Sequence, residues 1–117
     1  MGKDLDPLCP SIQAALDLLG RPWTGLVLAV LQDGPMRYSA LAIRVEGIGD
    51  KTLCARLKEL ETKGLLLREV EAGPPVRVAY RLTPRGAGFR KVVEAIDVWG
   101  RQFGDPPRKT VRKAGGA

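Results

Sequence analysis

Between residues 50 and 63 the apolar positions fall on one stripe: Leu53, Leu57 and Leu60 sit at i, i+4 and i+7. That spacing predicts an amphipathic helix. Lys51, Ala55, Lys58 and Thr62 occupy the opposite side, flanked by Thr52, Arg56 and Glu59. Gly49 or Asp50 can cap its start, and Gly64 is a natural left-handed stop. Beyond Gly64 the period changes to two. Residues 65–70 and 76–82 predict two strands joined through Glu71-Ala72-Gly73-Pro74-Pro75. In the second strand Val78, Tyr80 and Leu82 alternate with Arg77, Ala79 and Arg81, which gives one buried and one cationic face.

Four further helices complete the pattern. Residues 11–19 predict a short helix capped by Ser11, with Ile12, Ala15, Leu16 and Leu19 on its apolar side. Gly20 and Pro22 break it. Residues 23–32 are apolar nearly all round, so this helix should be central to the core, with Trp23 packed there. Asp33-Gly34-Pro35 ends it. Residues 39–45 form a helix capped by Ser39, and the turn at 46–49 joins it to the helix at 50–63 as a helix-turn-helix pair. Thr83 caps the last helix and Pro84 suits its first turn. Phe89, Val92, Val93, Ile96, Trp99 and Phe103 repeat at helical spacing through 84–103, and Gly86 and Gly88 weaken the first turns.

The expected fold is mainly α with a β-hairpin wing, a winged helix-turn-helix in one domain over residues 9–103. Residues 1–8 are expected to be a flexible lead and residues 104–117 a disordered basic tail. The 50–63 helix is narrow enough to enter a DNA major groove, and the hairpin can reach flanking phosphates. The formal net charge of +6 suits a polyanionic partner, double-stranded DNA. The tail cations Arg108, Lys109, Arg112 and Lys113 serve either nonspecific DNA affinity or solubility.

Other chemistry is poorly supported. The chain has no histidine and two cysteines, Cys9 and Cys54. A zinc site usually needs four Cys or His ligands, so no metal is expected, and a His general base is excluded. No phosphate-binding glycine motif appears among the 14 glycines. Neither an enzyme nor a cofactor is expected. No apolar run is long enough to span a bilayer and the N-terminus lacks a signal-peptide core, so no membrane partner and a cytoplasmic location are expected.

Within the helix, Lys51, Thr52 and Ala55 are best placed for base edges, because the N-terminal part of such a helix reads DNA. Arg56 and Lys58 suit phosphates. Arg77 and Arg81 on the wing can reach phosphate or the minor groove, and Arg37 and Ser39 before the preceding helix can contact the backbone. The alternative for each is ordinary surface solvation. Cys54 lies beside the apolar stripe and reads as a buried structural thiol. The first and last helices are left with apolar surface at Ile12, Leu16, Ile96, Trp99 and Phe103. A twofold homodimer would bury it and place two recognition helices in successive major grooves. Cys9, followed by Pro10, sits near a helix N-terminus, where peptide dipoles favour a reactive thiolate. A reduced thiol that only packs is the equal alternative.

The chain resembles the HxlR-type winged helix-turn-helix transcriptional regulators, a branch close to the MarR-type regulators. The likeness spans about residues 9–100. It is carried by Cys9-Pro10, Leu19 to Thr24, Leu31 to Tyr38, Ser39-Ala40-Leu41 and Gly47-Ile48. It continues through Lys51-Thr52-Leu53, Arg56-Leu57, Leu60-Glu61, Gly64-Leu65, Pro74 to Val78 with Tyr80, and Leu82-Thr83 with Gly86. The resemblance implies a homodimer built by the first and last helices that binds an inverted-repeat operator, here as a repressor. It also implies an oxidant or electrophile effector sensed at Cys9 in some members, and a small-molecule ligand at the dimer interface in others. Gly49 departs from the family's usual serine cap, and Cys54 from its small hydroxyl residue. A winged-helix module that binds protein without reading DNA is the remaining alternative.

Overall fold

The computed structural model describes residues 5–104. Residues 1–4 of the expected lead, and residues 105–117 with Arg108, Lys109, Arg112 and Lys113, lie outside the described residues. The order is α1 (Pro10–Gly20), α2 (Thr24–Val30), a 3-10 turn (Leu31–Asp33), β1 (Met36–Arg37), α3 (Tyr38–Arg44), α4 (Asp50–Thr62), β2 (Leu66–Glu71), β3 (Arg77–Leu82), α5 (Pro84–Ala87) and α6 (Phe89–Phe103). The fold is mainly helical with a small antiparallel sheet, and the helix-turn-helix pair is α3–α4.

The core is where the leucine stripe places it. Leu53, Leu57 and Leu60 of α4 pack with Val27, Leu28, Leu31, Leu41, Val45, Leu66 and Tyr80. Each of the three α4 leucines is at most 1% exposed, so the helix is held by one face and leaves the other free. Its end is a Schellman motif. Gly64 adopts φ 76°, Gly64 N–H donates to Glu61 O at 3.0 Å, and Leu65 N–H donates to Leu60 O at 2.9 Å. The chain is thereby turned directly into β2.

The sheet has a strand that the hydrophobic alternation did not reveal. Met36–Arg37 pairs antiparallel with β3, Met36 opposite Tyr80 and Arg37 opposite Ala79, giving the order β1-β3-β2. Two residues are too few to show a period. β2 and β3 form the wing, with Arg68 opposite Tyr80 and Glu71 opposite Arg77.

Several helix ends differ from expectation. Cys9, not Ser11, is the N-cap of α1, with Pro10 at the first helical position where its missing N–H costs nothing. Residues before it turn on Asp6, whose Oδ1 accepts from Leu8 N–H at 2.9 Å and whose carbonyl accepts from Cys9 N–H at 3.0 Å. Trp23 stands outside α2 in the left-handed region, φ 73°, half-buried against the core. α2 is not buried all round, since Leu26 is exposed. Ser39 lies inside α3, whose N-cap is Arg37, and Gly49 caps α4 without a side-chain bond while Asp50 begins the helix. The last helix is two: Gly88 separates α5 from α6.

Thr83 caps α5 as expected. Its Oγ1 accepts from Gly86 N–H at 3.2 Å and donates to Gly64 O at 2.6 Å, which fastens the end of α4 to the start of α5. α6 packs on α2. Neither α1 nor α6 has a buried residue. Leu16, Ile96, Trp99 and Phe103 are exposed and Ile12 is half-buried. Trp99 and Phe103 stack edge to face at 4.7 Å between ring centroids.

Candidate nucleic-acid interface and N-terminal thiol

The free face of α4 presents Lys51, Ala55, Lys58 and Thr62 to solvent, with Thr52 half-buried at its edge. These positions lie opposite the buried leucines, so the outward surface follows from the same spacing that builds the core. Small Ala55 between two lysines lets the helix backbone approach a partner closely. Nothing among the described residues pairs with Lys51 or Lys58.

Arg56 behaves differently from the other cations of this helix. Its Nη1 donates to Glu59 Oε1 at 2.7 Å, its side chain is 16% exposed, and its Nε is buried without a partner. Glu59 also accepts from Arg21 Nη2 at 2.6 Å. One carboxylate therefore bridges the residue that ends α1 and an arginine of α4. Arg56 is turned toward Glu59, and this corrects its reading as an outward phosphate contact.

The wing arginines divide by strand register. β2 and β3 turn Leu66, Arg68 and Val70 to one face with Val78, Tyr80 and Leu82. Leu67, Glu69 and Glu71 share the other face with Arg77, Ala79 and Arg81. On that outer face Arg81 Nε donates to Glu69 Oε2 at 2.7 Å, and Arg37 Nη2 lies 3.6 Å from Glu71 Oε1. Arg81 is thus paired on the outer face, and Arg37 is more loosely so. Arg77 is exposed at the start of β3.

Sequence reasoning missed Arg68. It sits on the inner face two residues after fully buried Leu66, and it lines a groove with Arg37, Tyr38, Ser39, Cys54, Val76 and Arg77. The signal was present in Leu66-x-Arg68-x-Val70, where an arginine takes an inward register position. Cys54 corrects the other way. It is exposed, and its thiol donates to Tyr38 Oη at 3.5 Å, while Tyr38 Oη–H donates to Asp50 Oδ1 at 2.9 Å. The bond with Cys54, then partial burial, then Asp50, push the Tyr38 phenol above its ordinary range.

Cys9 is half-buried at the head of α1. Its Sγ lies 3.3 Å from Ser11 Oγ. That hydrogen bond, followed by the Ile12 backbone N–H, holds the thiol below its ordinary pKa. Arg21 is engaged with Glu59. An apolar cavity of about 410 Å³ lies where α1, α2 and α6 meet, lined by Leu19, Trp23, Leu26, Phe89, Val93 and Ile96. Among the described residues no group of three or more acidic, Cys or His side chains could hold a metal ion, and no single helix is long and apolar enough to cross a membrane.

Comparison with known proteins places this geometry. The family model for the HxlR-like helix-turn-helix matches residues 18–108. The chain is 38% identical over 99 residues to the HTH-type transcriptional regulator YodB of Bacillus subtilis (strain 168), covering 85% of this chain and 88% of that protein. The reduced form of B. subtilis YodB superposes with a TM-score of 0.75 at 38% identity, over 86% of this chain and 99% of that one. The quinone-bound form gives 0.73 at 36% identity, over 82% and 100%. The oxidised redox regulator HypR gives 0.74 at 31% identity, over 84% and 100%. The chain belongs to the HxlR-like helix-turn-helix family, whose members are transcriptional regulators and not enzymes.

Proposed function

We propose that this protein is a sequence-specific DNA-binding repressor that occupies an inverted-repeat operator as a homodimer and responds to oxidants or electrophiles through Cys9. The observation that carries the DNA reading is α4 itself. Its leucine stripe is wholly buried while Lys51, Ala55 and Lys58 stand free on the opposite side. A helix anchored by one face and open on the other can be laid in a major groove without losing its packing. Lys51, Thr52 and Ala55 face the bases, and Lys58 and Arg77 face phosphates, with Ser39 beside them. The exposed apolar side chains of α1 and α6 (Leu16, Ile96, Trp99 and Phe103) build the dimer together with Ile12.

The effector reading rests on Cys9. A thiol at a helix head, bonded to Ser11 and lowered in pKa, ionises more readily to the thiolate, the form that attacks quinones and peroxides. The likeness to a regulator solved in reduced and quinone-bound forms supports the same chemistry here.

Substitution tests both parts. Lys51→Ala and Thr52→Ala should weaken the selected operator more than random duplex, by about 1–3 kcal/mol for a good base contact. Equal affinity of both variants and wild type for the operator would refute the assignment. A quinone should release wild type from DNA and leave Cys9→Ser bound. An equal response of the two proteins would move the effector to a small ligand in the cavity beside Trp23.

A further inference from the structure

Helix α4 starts without a cap of its own. Its N-cap, Gly49, has no side chain to offer the free N–H groups of the first turn. The turn leading in holds a second glycine, Gly47, in the left-handed region at φ 95°. Glycines on either side of Ile48 give that turn little stiffness. The start of α4 is held from the neighbouring helix instead. The Tyr38 hydroxyl donates to Asp50 Oδ1 at 2.9 Å, with the Asp50 carbonyl oxygen 3.4 Å away. The Cys54 thiol donates to the same Tyr38 oxygen at 3.5 Å. Asp50 and Cys54 are i and i+4, stacked on one side of α4 a turn apart. A single hydroxyl therefore fixes both the rotation of the helix and its position along the axis. Among the described residues no other side chain hydrogen-bonds to the first turn of α4. The anchor itself is rigid. The Tyr38 ring packs against the core, and its backbone follows directly on Arg37, which pairs with Ala79 of β3.

We propose that Tyr38 is a positioning residue for base reading: its hydroxyl holds the start of α4 against α3 and the sheet, and so sets how well Lys51 and Thr52 meet the bases of the preferred site. This deepens the DNA reading above and rests on it. The argument is one of geometry. Lys51 and Thr52 directly follow Asp50, the residue that Tyr38 grips. A hydrogen bond to a base edge is lost once donor and acceptor are displaced by a few tenths of an ångström or turned out of line. A lysine or arginine on a phosphate follows such a shift with its flexible side chain, and it carries no sequence information. Loss of the hydroxyl should therefore lower discrimination between sequences and leave general affinity for DNA in place.

The test compares two duplexes on the full-length protein at one salt concentration: the sequence that wild type enriches from a random pool, and a shuffled duplex of the same length and composition. The quantity read is the ratio of the two affinities, which cancels any uniform change in charge. Tyr38→Phe keeps the ring in the core and removes only the hydroxyl. It should lower the ratio about 10-fold, the scale of one hydrogen bond to a charged group, with affinity for the shuffled duplex within about 2-fold of wild type. Asp50→Ala should lower the ratio by a similar factor, and the double variant should lose no more than either single one, because both remove the same bond. Asp50→Asn keeps an acceptor for the hydroxyl and should hold the ratio within about 3-fold of wild type. A ratio unchanged in Tyr38→Phe, an equal loss on both duplexes, losses that multiply in the double variant, or an Asp50→Asn ratio as low as that of Asp50→Ala would overturn the positioning role. Wild type that enriches no sequence would instead overturn the DNA reading itself.

Discussion

Cys9 shows how a single residue's chemistry depends on its local fold. The sequence places a thiol before Pro10 and leaves its state open. The structure makes it the N-cap of α1 and puts Ser11 Oγ within 3.3 Å. A thiolate accepting from a hydroxyl and a backbone N–H is favoured over the thiol. The rate of Cys9 alkylation should therefore reach half its maximum at a lower pH than a free cysteine, whose pKa is about 8.5. Because Ser11 is the leading cause, Ser11→Ala should move that midpoint upward. A Cys9 midpoint equal to or above that of free cysteine, or one indifferent to Ser11→Ala, would remove the basis for its reactivity. Cys54, by contrast, was misread from the sequence. It sits one position off the leucine stripe, and one helical step of 100° suffices to carry it from the core edge to solvent beside Tyr38.

At the scale of elements, the joints matter as much as the helices. Gly86 is buried where α5 crosses the start of β2, and a Cβ there would lie 2.0 Å from Leu65 O. Its carbonyl also accepts from Gln32 Nε2 at 3.1 Å, and its N–H donates to Thr83. Gly86→Ala must push backbone apart at the junction of α4, wing and α5. It should destabilise the protein by about 3 kcal/mol or more, within the range of severe single substitutions. A melting temperature within a degree of wild type would contradict that role.

Helix α4 was legible because thirteen residues give several repeats of a clean period, and its Schellman end is written in Gly64. The two-residue strand β1 was not legible, since its pairing with β3 is fixed by tertiary contact and not by alternation. The division of the last helix was half legible. Gly86 and Gly88 marked a weak segment, but only the fold shows that the chain bends there to bring α5 under Thr83 and α6 onto α2. Of the cationic candidates, Lys51, Lys58 and Arg77 have no ion-pair partner among the described residues, whereas Arg56 and Arg81 are paired with Glu59 and Glu69. Sequence shows the charge of each residue but not the carboxylate that folding brings opposite it.

The described residues build a small core and leave apolar side chains of α1 and α6 exposed. Trp99 is 62% and Phe103 66% exposed, though they already pack on each other. An aromatic pair left open on a helix with no buried residue is the kind of surface a twofold partner covers. Trp99→Asp should shift the protein toward monomer in sedimentation velocity and weaken operator binding, while leaving the fold of the winged region intact by circular dichroism. A wild-type protein that stays monomeric at high concentration and on DNA would exclude the dimer. The Arg21–Glu59–Arg56 bridge joins the end of α1 to α4.

In the proposed function, two copies of this chain read a defined DNA sequence through paired α4 helices. Selection of bound duplexes from a random pool tests it most directly. The expected result is enrichment of an inverted repeat whose half-sites are centred about one helical turn apart, roughly 10–10.5 base pairs, or a multiple of it, with binding that weakens steeply as salt rises. A pool that stays random after repeated rounds, at every salt concentration, would contradict it.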